Sequence, residues 1–450
     1  MKMVFGVNDR PKFGQLIVFA IQQLLAIMAA TLVVPVIIGN GMSSAAALFG
    51  AGVGTLIYVL CTKKSSPVFL GSSFAFIDSM FAAFAGDVSM ALGYLGLILG
   101  AIFAGLVYVV IAIVVKFVGV GWINKLMPAV VIGPVVSIIG LSLAGNAIGD
   151  LQKVNIEGGS SYVAVVCGLV TLIVTTIAST YGKKMAKLIP FIIGILAGYA
   201  TASIFYIIGV LTKTPELMII NYGSLTALVS DGVGLKTFFT VPDFTFLTAF
   251  KGLGEIKASY VATIAIAYIP VAFVVFAEHI ADHKNISSII ESDLLEEPGL
   301  HRTLLGDGVG SMVGAFFGGC PNTTYGESVA CVAITRNASV ATIITTAVMA
   351  ILISFLSPFV AFVNSIPSCV MGGVCIALYG FIAVSGLKMI QKVDLEQNKN
   401  LFVVSTILIT GIGGLSLKFG KVTLTSIACA LILGIIVNII LTKSKEETQE

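Results

Sequence analysis

Apolar runs long enough to cross a lipid bilayer recur along this chain, at 16–38, 90–115, 162–178, 189–210, 261–277, 340–363 and 424–441. A spanning helix needs roughly 18–20 such residues. Within the hydrocarbon, every backbone N–H and C=O must be bonded inside the protein, so runs of this kind fold as helices. Shorter or Gly/Pro-broken stretches lie between them, at 44–61, 67–85, 126–147, 303–318, 325–335, 367–387 and 401–416. Together they predict an all-α polytopic membrane protein with about fourteen segments. The 450 residues are 57% hydrophobic and 10% charged, with mean hydropathy +1.06, which excludes a string of soluble domains.

The basic residues predict the orientation. Lys2, Arg10 and Lys12 precede the first run, which is too long for a signal peptide and lacks a cleavage pattern, so no removed segment is expected. With that end in the cytoplasm, all but seven of the 25 basic residues fall on the cytoplasmic side. The seven are Lys153, Lys213, Lys236, Lys251, Lys257, Lys418 and Lys421. An even number of spans, both termini inside and a plasma (inner) membrane location are expected. The net charge of +3 reports this topology and implies no nucleic-acid partner, since no basic stripe with interleaved aromatics occurs. Seven scattered cysteines with no CxxC spacing read as small buried hydrophobes, and no metal site or cofactor is expected.

One stretch, 211–257, breaks the pattern with Lys213, Glu216, Asp231, Lys236 and Asp243. It reads as an extracellular linker between residues 1–210, carrying segments 1–7, and 258–450, carrying segments 8–14. An odd number of segments per half requires the halves to be inverted relative to each other. Pro128, Val131, Gly133 and Val135 echo Pro367, Val370, Gly372 and Val374 at identical spacing. A second echo pairs Gly71-Ser72-Ser73-Phe74-Ala75-Phe76 in segment 3 with Asn322-Thr323-Thr324-Tyr325-Gly326-Glu327 entering segment 10. Both are small-polar runs that interrupt a helix. Irregular backbone at membrane depth survives only when buried in protein or lining a cavity, and matched broken segments point to a midplane site. The plainer alternative is two ordinary loops near a surface.

Two acids stand beside these features. Glu278 closes the apolar run ending at Ala277, and Glu327 follows the tenth-segment break. An acid at membrane depth costs at least ~2.5–3.5 kcal/mol on insertion scales, so it usually faces a polar cavity and works there. Structural hydrogen bonding, or a place at a helix end, is the alternative. If the broken segments meet, the site offers helix N-terminal N–H donors, two carboxyl groups, and the flat faces of Phe74 and Tyr325. The ligand that satisfies this set is small, planar and neutral, with N–H donors beside C=O acceptors. A nucleobase fits, whereas an anion would be repelled by the acids.

In the run Glu278-His279-Ile280-Ala281-Asp282-His283, the acids are four apart and so are the histidines. That spacing suits a proton relay, with Glu278, Asp282 and His279 the candidates. It also admits an intramembrane metalloenzyme built on Glu278, His279, Asp282 and His283, although the HExxH order is absent. His283 reads mainly as a solvated helix end beside Lys284.

At these residues the chain resembles the nucleobase–ascorbate transporter family (nucleobase:cation symporter-2), and within it the bacterial uracil permeases. The matching stretches are Gly71-Ser-Ser-Phe-Ala-Phe76, Ala277-Glu-His-Ile280, Asp293 with Pro298 to Arg302, Pro321-Asn-Thr-Thr-Tyr-Gly-Glu327, Ala333-Ile-Thr-Arg336 and Pro367 to Gly373. The resemblance implies 7+7 inverted repeats, a core domain of segments 1–4 and 8–11, and a gate domain of segments 5–7 and 12–14, often as a homodimer. It also implies a base held by Glu278 and Glu327 and by backbone near Phe74, Tyr325 and Gly326. The chain departs from the family pattern at Ser328, Ala330, Gln22-Gln23 and Asp282. The expected function is uracil import by proton symport through alternating access. A xanthine- or urate-type purine permease, or sodium as the coupling ion, stands as the alternative. An acid at 327, where purine carriers tend to have Gln, favours a pyrimidine.

Overall fold

A computed structural model describes residues 3–119, 128–154, 156–183, 185–230, 232–419 and 422–446. Lys2, Lys125, Lys184, Asp231 and Lys421, and the first two positions of the expected 126–147 segment, lie outside the described residues.

The first half runs α1 (Phe13–Ile38), α2 (Ser44–Cys61), β1 (Leu70–Ser72), a single 3-10 turn Phe74–Phe76 and α3 (Ile77–Ala83). It continues with α4 (Met90–Val118), α5 (Ala129–Ser142), α6 (Ala144–Gln152), α7 (Ser161–Tyr181) and α8 (Pro190–Thr212). Only short helical turns occupy the described part of 213–257, as the charged composition there predicts.

The second half opens with α9 (Ala258–Ile290), α10 (Leu300–Gly318), β2 (Asn322–Thr324), α11 (Gly326–Thr335) and α12 (Val340–Ile353). It closes with α13 (Ser357–Ser365), α14 (Ser368–Ile390), α15 (Asn398–Ile412), β3 (Leu417–Phe419), β4 (Val422–Leu424) and α16 (Ser426–Glu446). Among the described residues, eight helices are long and apolar enough to cross a membrane, with α5 and α6 taken as one.

One expected segment is corrected. The run 340–363 is two helices, because Pro358 at the start of α13 has no N–H to continue α12 and Leu356 before it is extended. The turn between them is held from outside, where Thr240 N–H donates to the Phe355 carbonyl at 2.9 Å.

The helices pack in two sets. In one, α10 lies against α2 and α4, α9 against α4, and α12 against α1 and α2. In the other, α14 lies against α5, α6 and α7, α8 against α7, and α15 against α5 and α16. Each set carries a pseudo-two-fold written in glycine contacts. A Cβ on Gly54 would sit 2.7 Å from the Gly310 carbonyl, and one on Gly50 would strike Gly314. Residues 50 and 54 map onto 310 and 314 with one offset (310 − 50 = 314 − 54 = 260), so the contact maps onto itself. Such four-residue spacing of small side chains lets helix backbones touch, which is how helices associate tightly in lipid. In the other set, Gly133 meets Ile390, Gly372 meets Leu151 and Gly140 meets Tyr379. All three obey a second offset (372 − 133 = 390 − 151 = 379 − 140 = 239). The Pro128/Pro367 echo therefore marks equivalent helix starts, with each proline at the N-cap of its helix.

Candidate functional site

The two broken segments meet. β1 and β2 pair antiparallel with Leu70 opposite Thr324, Gly71 opposite Thr323 and Ser72 opposite Asn322. Ser73 N–H donates to the Pro321 carbonyl at 2.8 Å, extending the ladder toward the helices. Each strand is only three residues long, and each completes the other's backbone hydrogen bonds inside the protein, as membrane depth requires. Asn322 sits beneath the α2–α10 crossing, its side chain donating to the Gly50 carbonyl and its N–H to Ser311.

A cavity of about 410 Å³ lies where the strands turn into helices. Phe74, Glu278, Tyr325, Gly326 and Glu327 all line it, together with Asp282. The opposite wall comes from the second helix set, through Val136, Phe191, Leu378, Phe381 and Ser385. Phe74 spans the two walls by meeting the Tyr379 ring edge-on at 6.0 Å. Asp282 accepts a 2.9 Å hydrogen bond from the Thr324 hydroxyl. Among the described residues the Glu278 carboxylate has no hydrogen-bond partner, and the Glu327 carboxylate meets only its own backbone N–H. Two acids are thus left for a ligand to satisfy, in a volume that suits a small molecule.

Three expectations change. The Tyr325 ring is not a face for the ligand: it is buried against Gly71, and its hydroxyl donates to the Ser72 carbonyl at 2.7 Å. Its side chain clamps the strand pair, and the residue lines the cavity at the strand end. His283 is not a solvated helix end. It is fully buried, with Nδ1 2.8 Å from the His279 carbonyl and Nε2 2.6 Å from the Tyr58 hydroxyl. His279 also turns away from the cavity, toward Asp307 Oδ2 at 2.7 Å and Thr303 Oγ1 at 3.0 Å. The reason is helical periodicity, since residues one apart on a helix do not share a face. Glu278 and Asp282 therefore point one way while the histidines point another. The four do not converge, and among the described residues no group of three or more His, Cys, Asp or Glu is arranged to hold a metal ion.

Asp307, Thr303 and Tyr58 were not singled out from the sequence. For Asp307 the signal was present, because an acid flanked by Gly306 and Gly308 inside an apolar helix is the same anomaly that marks Glu278. Two of the departures from the family pattern are one contact. Ser328 is buried behind the cavity, where it bonds the Gln23 side chain and accepts from Phe69 N–H at 3.0 Å.

The sequence profile of the Permease family matches residues 14–419. A uracil permease of Bacillus caldolyticus is 38% identical, over 98% of this chain and 95% of that protein. One from Bacillus subtilis (strain 168) is also 38% identical, over 99% and 97%. The putative pyrimidine permease RutG of Escherichia coli (strain K12) is 30% identical, over 98% and 92%. Among solved structures, the transmembrane domain of the cyanobacterial bicarbonate transporter BicA superposes with TM-score 0.62 at 14% identity, covering 96% of this chain and 99% of that one. The murine anion transporter Slc26a9, in an inward-facing state, superposes with TM-score 0.63 at 10% identity, covering 97% and 69%. These last two show the fold alone, the inverted-repeat architecture that the glycine contacts display. A profile over most of the chain and relatives aligned end to end make this a multi-pass membrane transporter rather than an enzyme, and the chain belongs to the nucleobase–ascorbate transporter family of permeases.

Proposed function

We propose that this chain imports uracil by proton symport, with Phe74, Glu278, Glu327 and the backbone at Tyr325 and Gly326 holding the base. The observation that carries this reading is the unpartnered Glu278 and the nearly unpartnered Glu327 on one cavity, beside helix N-termini that offer N–H donors. A pyrimidine places N–H groups against the acids and C=O groups against the N–H donors. The first helix set is the core and the second the gate, and rocking of one against the other opens the cavity alternately. Three of its exposed lining residues, Ala281, Ala330 and Ser385, lie toward the helix ends that carry Lys284, Arg336 and Lys388. This supports an inward-open state, with both termini cytoplasmic in a plasma membrane. Homodimeric assembly belongs to the same proposal.

Glu278 is the proton-linked acid, with Asp282 beside it. An ionised Glu278 accepts from the base, and the carboxyl takes its proton from the outside and loses it inside as opening of the carrier changes its solvation. Glu327→Gln tests the site. It sets an amide donor against a ligand donor, and an unpaired buried polar group costs ~1–3 kcal/mol, so uracil affinity should fall at least about tenfold. Unchanged binding in Glu327→Gln protein would place the site elsewhere, and competition by xanthine stronger than by uracil would make the chain a purine carrier.

A further inference from the structure

Asp307 is a fully buried acid behind α9, and the transport scheme so far gives it no task. Its Oδ2 lies 2.7 Å from His279 Nδ1, while its Oδ1 has no hydrogen-bond partner. His279 Nε2 lies 3.0 Å from Thr303 Oγ1, and that hydroxyl is also 3.1 Å from the Leu300 carbonyl.

These contacts admit two proton counts. A threonine hydroxyl has one proton to donate. If Thr303 gives it to the Leu300 carbonyl, its oxygen accepts a proton that His279 carries on Nε2. A second proton then lies between His279 Nδ1 and Asp307, and the pair is neutral overall. If Thr303 instead donates to Nε2, His279 keeps only the Nδ1 proton, directed at ionised Asp307, and the pair carries one negative charge. Both ring nitrogens are satisfied in both states, which differ by one proton and the rotation of one hydroxyl.

Among the described residues around the pair there is no fixed positive charge. Glu278 and Asp282 lie on the same helix, and Glu327 faces Asp282 from α11. The His283 ring stacks on His279 with centroids 4.0 Å apart, and the Tyr108 ring of α4 meets it edge-on at 6.4 Å. His283 Nδ1 donates to the His279 carbonyl, and its Nε2 lies 2.6 Å from the Tyr58 hydroxyl of α2. Two uncompensated negative charges this close in low dielectric disfavour each other.

Building on the proton-symport reading, we propose that the Asp307–His279 pair, with Thr303 as its switch, stores the coupling proton while Glu278 holds the base. As the base binds, Glu278 gives up its proton and ionises, and the pair gains one and becomes neutral. The count of protons and charge is conserved. After the base leaves, the pair releases the stored proton to the inside, and the empty carrier resets with Glu278 still ionised. Glu278 then takes its next proton from the outside, so each cycle carries one base and one proton inward.

The test uses the full chain in proteoliposomes with a pH-sensitive dye inside, read alongside exchange of labelled for unlabelled uracil. Asp307→Asn should keep exchange and lose uracil-evoked acidification. Thr303→Val strands the charged Nε2–H of the loaded state, so uptake should become half-maximal at lower external pH, and Thr303→Ser should restore the wild-type profile. Acidification by Asp307→Asn at the wild-type rate would overturn the storage role. Loss of exchange in both Asp307→Asn and Thr303→Val would overturn it too, by making the pair structural. Wild-type protein that exchanges uracil without acidification would sink the symport reading itself, and the pair with it.

Discussion

Helix α9 turns two faces to two environments, and residues one apart along it have opposite surroundings. Glu278 and Asp282 line the cavity, where Asp282 holds one protein hydrogen bond and Glu278 none. His279 and His283 face the interior, and every ring nitrogen there has a partner in Asp307, Thr303, Tyr58 or the α9 backbone. A buried polar group without a partner costs free energy that the fold must offset. At the acids of the cavity face the protein leaves that deficit, where a ligand can make it good, and at the two histidines it removes it. The cavity acids are thus recognised by what they lack, and the histidines behind them by being complete.

Mutation should separate the faces. Glu278→Gln should have the largest effect on transport. Its amide cannot titrate, so accumulation against a gradient should disappear even where some binding survives. Wild-type uptake should weaken as external pH rises, because fewer protons are available to load the carrier from outside, and the variant's residual flux should be flat with pH. Wild-type uptake that ignores a protonophore and follows external sodium would reduce Glu278 to a ligand for the base.

On the other face, the effect should fall on stability instead. His283→Leu removes the imidazole bonds to the Tyr58 hydroxyl, which keeps Ser66, and to the His279 carbonyl. It should lower thermal stability by about 1–3 kcal/mol while uracil affinity stays within a few-fold. A tenfold loss of affinity without loss of stability would place His283 in the binding site. Tyr58→Phe should be milder, about 1 kcal/mol, since it removes one hydroxyl that bonds both His283 and Ser66. The smallest perturbation is a thiol at Gly326→Cys, where a Cβ would meet only Asp282 at 3.8 Å. Binding should persist and uracil should slow modification of the thiol, whereas labelling indifferent to uracil would separate Gly326 from the site.

Much of this was legible from residue order. Polar breaks at Gly71–Phe76 and Asn322–Glu327 marked the strand pair, because helix-breaking residues at membrane depth must find partners in another segment. Glu278 and Glu327 stood out for the same reason. Asp307, between Gly306 and Gly308 in an apolar helix, carries the same signal. The Tyr325 ring and His283 depart from their expected surroundings because a side chain's direction depends on what packs beside it. Tyr325 could cap Gly71 only once the strands were paired. His283 could be buried only because α2 brings Tyr58 against α9.

Hydrophobic runs, charge asymmetry and isolated acids by themselves determined the membrane, the helical class, the inverted halves and the candidate acids, since each reflects the transfer of a segment between water and lipid. Tertiary structure alone decided which face of α9 sees the cavity, which glycines let helices touch, and which acid pairs with which histidine. Those outcomes depend on contacts between residues tens to hundreds of positions apart, such as Gly54 with Gly310 and His279 with Asp307. Transfer energies belong to segments one at a time, whereas partnering belongs to pairs that only the assembled bundle brings together.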